Sequence, residues 1–419
     1  MPTLSVVIPV HNKWELTAAC LRSLAEHTPG GDVAVIVVDN ASADDTSGAC
    51  PALGSSLFGR RFRYRRFENN RNFGPACNAG AALADSDLLF FLNNDTLLTP
   101  GWLPPLQDAL AAEPDLVGVG PLLAYPDDTV QHLGIVITPA GGSIGHLYAG
   151  LPLAHPLARR RRRFPAITGA ALMVSRALFL EAGGFCEAYV NGFEDVDFCL
   201  ALAENGGVMS VIPESRVIHF ESQTPQRRDH DEDNGRLLRA RRDLSRFVNM
   251  PALAEEDDYV LRVEPDLQVR FGVPEERRKA LLRRLRSARP FRPDHCLALL
   301  DEEPLWEEGY EMLATLLENA GRREEALAVW HRHLRLTPSL EAAERALRIL
   351  RQLNADPGDL AEAVEHWRAG ILDEEGHAAK LANILALLRR DGPVSLIPAY
   401  EQAAMRAAEL RMRWRTGAH

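Results

Sequence analysis

No segment of this 419-residue chain reaches the roughly 18 consecutive apolar residues that a membrane-crossing helix needs. No basic stretch precedes the first apolar run. LSVVIPV, residues 4–10, is short and contains Pro9, so it reads as a first strand and not as a secretory leader. Cysteine is sparse: the six thiols, at 20, 50, 77, 186, 199 and 296, make no CxxC pair and no dense framework, which fits reduced thiols in a cytoplasmic protein. Positive charge is not in excess. A net charge of −11 argues against a general nucleic-acid binder, although charge can still be clustered locally. A glycine-rich phosphate loop carrying a basic residue after the first strand is missing as well. HNKWEL stands in that place, which argues against a nucleotidyltransferase.

What is present is ordinary for a globular protein: 46% hydrophobic and 25% charged residues, at a length that fits one large or two to three smaller domains. The first 120 residues alternate in type. LSVVIPV, VAVIVVD (33–39), RFRYRRFE (61–68) and DLLFFLN (87–93) read as strands, and 14–27 and 74–84 as helices. The pattern predicts a mainly parallel α/β sheet with covering helices. Ligands of such sheets bind at the C-terminal strand ends, so His11, Asp39-Asn40, 69–72 and 93–95 should share one edge. From about residue 270 the texture becomes Ala-, Leu-, Glu- and Arg-rich with helical spacing. Helices are expected at 275–288, 305–319, 324–336, 339–353, 359–371, 376–390 and 396–413. EEALAVWHRHL (324–334) and AEAVEHWRAGI (361–371) align as a weak repeat, and NAGRREEALAVWHRHLRLTP resembles one tetratricopeptide unit. The expected division is 1–250, a linker at 251–270 and a helical domain at 271–419. The charged stretch QRRDHDEDNGRLLRARRD reads as a lid or linker followed by a helix.

Candidate site residues lie at the strand ends. FLNNDTLLTPGW (91–102) runs an apolar strand into Asn93, Asn94 and Asp95. A strand-end carboxylate is either a turn former or an oxygen ligand for a hard divalent cation. Trp102 is expected near the same edge. Asp39, ending the second strand, either caps a turn or accepts a base N–H or ribose hydroxyl. In NRNFGPACNAG, Gly74 permits close backbone approach, and Asn72 and Asn78 flank a helix start suited to anions. NGFEDVDFCL places Glu194, Asp195 and Asp197 at a helix start; they either complement the dipole or form a carboxylate cluster that raises one pKa toward that of a general base. His219 in VIHFES is either structural or a ligand near Asp95. The five arginines 159–163 are a solvated loop or an attractor of phosphate or anionic lipid.

Taken together and in order, SVVIPVHNKWELTAACLRSL, VVDNASADDT, NRNFGPACNAG, FLNNDTLLTPGW, TGAALMVSRALFLEAGGF and NGFEDVDFCL resemble family 2 of the inverting nucleotide-sugar glycosyltransferases, over roughly residues 1–225. The nearest branch in appearance is the rhamnosyltransferase-like one. The resemblance implies a GT-A fold, with Pro9, His11, Asn12, Asp39, Asn72, Gly74, Asn78 and Asn94 binding the donor. It implies Asp95 and His219 holding Mg²⁺ or Mn²⁺, Asp195 as base with Glu194 beside it, and Trp102 and Gly169 on the acceptor side. Asn93 occupies the position of the first acidic residue of the family's DxD motif, a departure that bears on metal affinity. The implied reaction moves a sugar from a UDP- or dTDP-sugar to a hydroxyl of a glycan or lipid-linked acceptor in surface polysaccharide assembly. The expected location is cytoplasmic, with contact at the inner membrane face for a lipid-linked acceptor. The helical region would bind acceptor, a protein partner or a second copy. The alternative is a catalytically weak nucleotide-sugar-binding or scaffolding protein, against which the intact ED segment argues.

Overall fold

The computed structural model describes residues 3–28, 30, 32–139, 143–220, 230–288 and 292–416. Strands β1 (Leu4–Val10) and β2 (Val33–Asp39) are buried along their whole length. That is why both read as unbroken β-branched runs: helices cover both faces of a parallel sheet. Between them α1 (Trp14–His27) buries Thr17, Ala18, Cys20, Leu21 and Leu24, the spacing of one helical stripe. A helix not expected from the sequence, α2 (Thr46–Phe58), precedes β3 (Phe62–Arg66). Its Pro51 and small residues hide the helical signal, yet Thr46, Cys50, Gly54 and Phe58 recur every fourth residue on its buried side. Next come α3 (Phe73–Leu83) and β4 (Leu88–Leu92). Gly80 is demanded by packing, since a Cβ there would lie 2.3 Å from Val7 Cγ1.

These four strands lie parallel in the order β3-β2-β1-β4. The chain moves outward from β1 to β3, then returns to β4 on the other side of β1. The crevice beyond the C-terminal ends of β1 and β4 is therefore a topological switch point. Pro9 pairs with Val38 but lies beyond Val7, the last β1 residue laddered to β4, so its missing N–H has no ladder bond to lose on that side.

The chain continues through β5 (Thr96–Leu98), α4 (Leu103–Ala112), β6 (Leu116–Ala124), β7 (Val130–His132), β8 (Ile135–Ile137), β9 (Ile144–His146), β10 (Arg162–Phe164), β11 (Ala171–Ser175), α5 (Arg176–Glu181), α6 (Glu194–Ala203) and β12 (Val208–His219), of which β8 and β9 pair as a separate two-stranded sheet. Beyond β4 the order is β11-β6-β12-β10, with β5 on β12 and β7 on β6. Because β11 runs antiparallel between β4 and β6, the sheet is mixed and not mainly parallel. The arginine run is largely structural. Arg161 and Arg163 pair with Glu113, Arg163 also with Asp115, and Arg162 is buried and donates to Leu157 O (3.3 Å) and Arg160 O (3.2 Å). Helix α7 (Asp231–Arg241) follows; the lid expected just before it falls on 221–229, outside the described residues.

The chain divides into two compact units. One comprises residues 1–135, 146–148 and 156–243, the other 136–145, 149–155 and 244–419. The second unit contains α8 (Met250–Glu256), the hairpin β13 (Val260–Val263) and β14 (Val269–Gly272), then α9 (Glu275–Ser287), α10 (Pro293–Glu302), α11 (Glu307–Asn319), α12 (Arg323–Leu336), α13 (Leu340–Gln352), α14 (Asp359–Leu372), α15 (Glu374–Asp391) and α16 (Ile397–Thr416). The stretch 251–270 thus carries regular structure. The two repeat-like segments occupy α12 and α14, two helices apart, and Ala343, Leu347 and Val364 pack with Leu334 and Trp367 between them. Under α11 and α12, the buried His333 ring lies flat against Tyr310, with 5.0 Å between centroids. Among the described residues neither of its nitrogens has a hydrogen-bond partner, and burial pushes its pKa down to about 4. No described helix is long and apolar enough to cross a membrane.

Candidate active site

The site lies wholly within the first unit. After β1 the backbone turns through two left-handed residues, Asn12 (φ 59°) and Lys13 (φ 60°). The turn is stitched to the loop after β2. His11 Nδ1 meets Asn40 O (2.8 Å), Asn12 N–H donates to Ser42 Oγ (2.8 Å), and Ala43 N–H donates to Asn12 Oδ1 (2.7 Å). Asn40 reaches onward, accepting from Arg71 N–H (2.7 Å) and donating to Asn72 O (2.9 Å). His11, Asn12 and Asn72 are therefore brought to one edge. Asp39 is placed differently from the expectation. It has no exposed surface, and its oxygens accept from Ser42 N–H (2.8 Å), Tyr64 OH (2.6 Å) and Arg66 (3.1 Å). It organises the floor of this edge from beneath the surface.

Two further expectations are corrected. The Asn78 side chain is closed on Phe185, donating to its carbonyl (2.9 Å) and accepting from its N–H (2.9 Å), which leaves it a clamp between α3 and the loop after α5. Trp102 is fully buried, 4.9 Å from the Phe90 ring and donating to Thr28 Oγ1 (3.0 Å). It is a core side chain with no surface to offer an acceptor. Gly74 is buried but not sterically required, because a Cβ there meets atoms no nearer than 3.5 Å.

Asp95 and His219 are adjacent, because Thr96 of β5 pairs with His219 at the end of β12. His219 Nε2 lies 3.1 Å from Asp95 Oδ1 and 3.3 Å from the Asn93 amide, and both side chains are largely buried. Gln131 fixes the tautomer. Its amide nitrogen donates to the His219 carbonyl (3.2 Å), so its oxygen must face His219 Nδ1 (2.6 Å), and Nδ1 carries the proton. Nε2 is then the nitrogen turned toward Asp95, and the one this imidazole can offer to a metal. Among the described residues no group of three or more His, Cys, Asp or Glu is placed to hold a metal. Two protein ligands completed by substrate phosphate oxygens and water is nevertheless an ordinary magnesium-type site. Asn94 points its amide to Thr17 Oγ1 (2.9 Å) and ties α1 to this loop.

Asp195 occupies the first turn of α6. Its Oδ2 accepts from Gly169 N–H (2.6 Å) and Thr168 OH (3.4 Å), and its Oδ1 from Val196 N–H (2.8 Å). Gly169 makes this seat possible, since a Cβ there would lie 2.9 Å from Asp195 Cβ. The expected carboxylate cluster is dispersed by helical geometry. Glu194 accepts from Gly192 N–H (2.7 Å), and Asp197 turns away to Arg241 (3.0 Å) and Arg242 (2.7 Å). Cys77 packs below; burial, reinforced by Glu194 and Asp195, holds its thiol pKa well above 9.0. The two chemical ends meet through one rung. Leu92 pairs with Ala171 and Asn93 N–H donates to Ala170 O (2.9 Å), so Asp95 and the Thr168–Gly169 seat of Asp195 leave the β4–β11 ladder side by side.

Residues 5–178 match the description of glycosyl transferase family 2. This segment is similar to family 2 glycosyltransferase domains. Its curled mixed sheet is of the GT-A type. A relative from Sinorhizobium fredii is 31% identical over 246 residues, 57% of this chain. The O-antigen biosynthesis protein RfbC of Myxococcus xanthus is 30% identical over 227 residues, 53% of this chain. This chain spans 26% and 17% of their respective lengths. The N-acetylglucosaminyl-diphospho-decaprenol L-rhamnosyltransferase of Mycobacterium tuberculosis is 28% identical over 228 residues, 49% of this chain and 71% of that one. A crystal structure of GalNAc-T7 with UDP, GalNAc and Mn²⁺ matches at 19% identity with a TM-score of 0.44, over 52% of this chain and 44% of that one. Gln131, His132, Thr168 and Asn191 escaped sequence reasoning: each acts through a partner 27 to 118 positions away, and no local pattern marks it.

Proposed function

We propose that the first unit transfers a sugar, with inversion, from a nucleotide-diphosphate donor to an acceptor hydroxyl. The observation that carries this reading is Asp195, partly buried and held only by neutral donors among the described residues, beside the Asp95–His219 pair. An oxygen of Asp195 takes the acceptor's proton as the acceptor oxygen forms its bond to the anomeric carbon. The bond to the diphosphate breaks on the opposite face, and its electron pair leaves with the nucleoside diphosphate. Asp95 and His219 would hold Mg²⁺ or Mn²⁺, which neutralises charge on the departing diphosphate. His11, Asn12, Asn72, Gly74 and Asn94 border the donor edge; Asp39 acts on it through Tyr64 and Arg66, Glu194 by shaping the turn before Asp195. Gly169 serves the acceptor side as the seat of the base. In this reading the donor is a UDP- or dTDP-sugar and the acceptor a lipid-linked or glycan hydroxyl at the cytoplasmic membrane face, in surface polysaccharide assembly; similarity to an O-antigen biosynthesis protein and to a decaprenol-diphosphate rhamnosyltransferase supports the assembly role. The helical unit, tetratricopeptide-like in its α12–α14 spacing, would dock acceptor or partner.

Thermal-shift screening of nucleotide sugars with Mn²⁺ identifies the donor, and nucleoside-diphosphate release then measures turnover. Asp195→Asn should abolish transfer while donor binding stays within about threefold. Retained turnover would overturn the base assignment, and a wild-type protein that binds donor without turnover would make it a binding module.

A further inference from the structure

One dipeptide touches both chemical halves of this site. The β6–β7 register steps from Val130 opposite Ala124 to His132 opposite Leu123, so β7 carries one residue more than its partner strand supplies. Consecutive strand residues ordinarily face opposite sides of a sheet. A bulge of this kind lets neighbours turn toward the same region, and bulges gather beside active sites. Gln131 uses the freedom to grip His219 at both its carbonyl and Nδ1. His132, buried, accepts from Thr168 N–H at Nε2 (3.2 Å). A backbone N–H can only donate, so Nε2 of His132 is bare and its proton sits on Nδ1, 2.7 Å from Nδ1 of His146. His132 thereby pins the residue whose hydroxyl, with the N–H of the next residue, seats Asp195.

We infer that Gln131 and His132 are a pair of positioning residues, Gln131 fixing His219 with Nε2 bare for a metal and His132 fixing the Thr168–Gly169 turn that aims Asp195. The inference rests on the proposed glycosyl transfer for its consequence in turnover but not for its geometry. Burial keeps His132 neutral, holding its pKa well below 6.5 with His146 and His219 adding to the effect, so its accepting nitrogen persists through the working pH range.

The test uses the full chain with ¹⁵N-labelled histidine. Two-bond ¹H–¹⁵N spectra of the imidazoles, assigned by His132→Gln and His219→Gln, should show His132 and His219 both in the Nδ1–H form. Gln131→Leu should move His219 out of that form and weaken Mn²⁺ binding, read by electron paramagnetic resonance with the metal alone, by about 10- to 100-fold. His132→Phe fills the same space without an acceptor. It should displace the Thr168 amide resonance and lower kcat about 10- to 100-fold while donor KM and Mn²⁺ affinity hold. His132→Gln, which restores an acceptor, should recover kcat to within about threefold and return the Thr168 resonance. An Nε2–H form for either ring, a Gln131→Leu protein with unchanged Mn²⁺ affinity, or equal losses in His132→Phe and His132→Gln would overturn the inference. The spectra and the metal titration need no turnover. Correct tautomers in a protein that transfers nothing would therefore sink the transferase reading and leave the positioning assignment standing.

Discussion

Adding one methyl group at Gly169 tests the site more sharply than removing its carboxylate. Gly169 is absent from the residues with positive φ, so alanine suits its backbone and the variant should fold. The new Cβ would lie 2.9 Å from Asp195 Cβ and 3.3 Å from its Oδ2. Ordinary carbon contacts begin at about 3.5 Å, so the carboxylate must retreat by roughly half an ångström or more. That movement stretches the 2.6 Å bond from Gly169 N–H. A hydrogen bond to a charged group is worth about 1.5–3 kcal/mol, and a 1 Å misplacement of a reacting group costs on the order of 100-fold. Both routes give the same expectation: Gly169→Ala lowers kcat by about 30- to 100-fold, or roughly 2–3 kcal/mol, with donor KM held within about threefold. The assay is nucleoside-diphosphate release at saturating donor and acceptor, with circular dichroism to confirm the fold. A kcat within about threefold of wild type, or a loss confined to donor KM, would refute the claim that Gly169 seats the base.

Asp95→Ala should weaken Mn²⁺-dependent nucleotide binding by at least about tenfold in calorimetric titration, and the wild-type advantage should vanish in EDTA; identical titrations with and without the chelator would remove Asp95 from the metal. Gly80→Ala places a methyl 2.3 Å from Val7 Cγ1 and should cost about 1–3 kcal/mol in urea unfolding of the full chain, whereas an unchanged midpoint would show that α3 shifts freely on the sheet. His333 has its pKa lowered by burial from 6.5 to about 4, so the folded state favours the neutral ring. The stability this represents is present above pH 6.5 and is lost as pH falls toward 4, by about 3 kcal/mol in all. His333→Phe should flatten that acid limb in melting curves between pH 7 and 4, and an unaltered limb would assign the acid sensitivity to other groups.

The parts of the fold written in runs were legible. β1, β2 and β4 announce themselves as continuous apolar stretches because the sheet buries both their faces, and α1, α11 and α13 carry one apolar stripe each. Helix α2 was hidden because its buried positions include Gly54, whose missing side chain leaves room for the Phe62 ring; a residue chosen for absence gives no hydrophobic signal. Helix α10 was passed over because Pro293 at its start reads as a breaker, although proline is well suited to a first turn. Trp102 shows the opposite failure. Its position after a turn suggested a ring offered to a ligand, but the ring packs on Phe90, and burial of that much apolar surface outweighs exposure at a rim. The β7 strand is only three residues long, and its role depends on partners brought by β11 and β12. No window of sequence contains that information.

What the sequence could not do was rank its own carboxylates, and the structure ranks them by the company they keep. Asp39 and Asp197 are each met by arginine: Arg66 for the first, Arg241 and Arg242 for the second. A guanidinium paired with each carboxylate holds it in a directed, charge-assisted bond, so both residues are fixed in place as anchors. Asp195 receives a backbone N–H on each oxygen and a hydroxyl on one, all neutral. Such donors orient the carboxylate without cancelling its charge, and a side chain so held can point a lone pair at an arriving hydroxyl. The three residues lie in two motifs that look alike as text, an aspartate closing an apolar run and a pair of aspartates opening a helix. The difference between the two anchors and the proposed base is written in α7 and β3, which deliver arginines to two of them, and in Gly169, which delivers none.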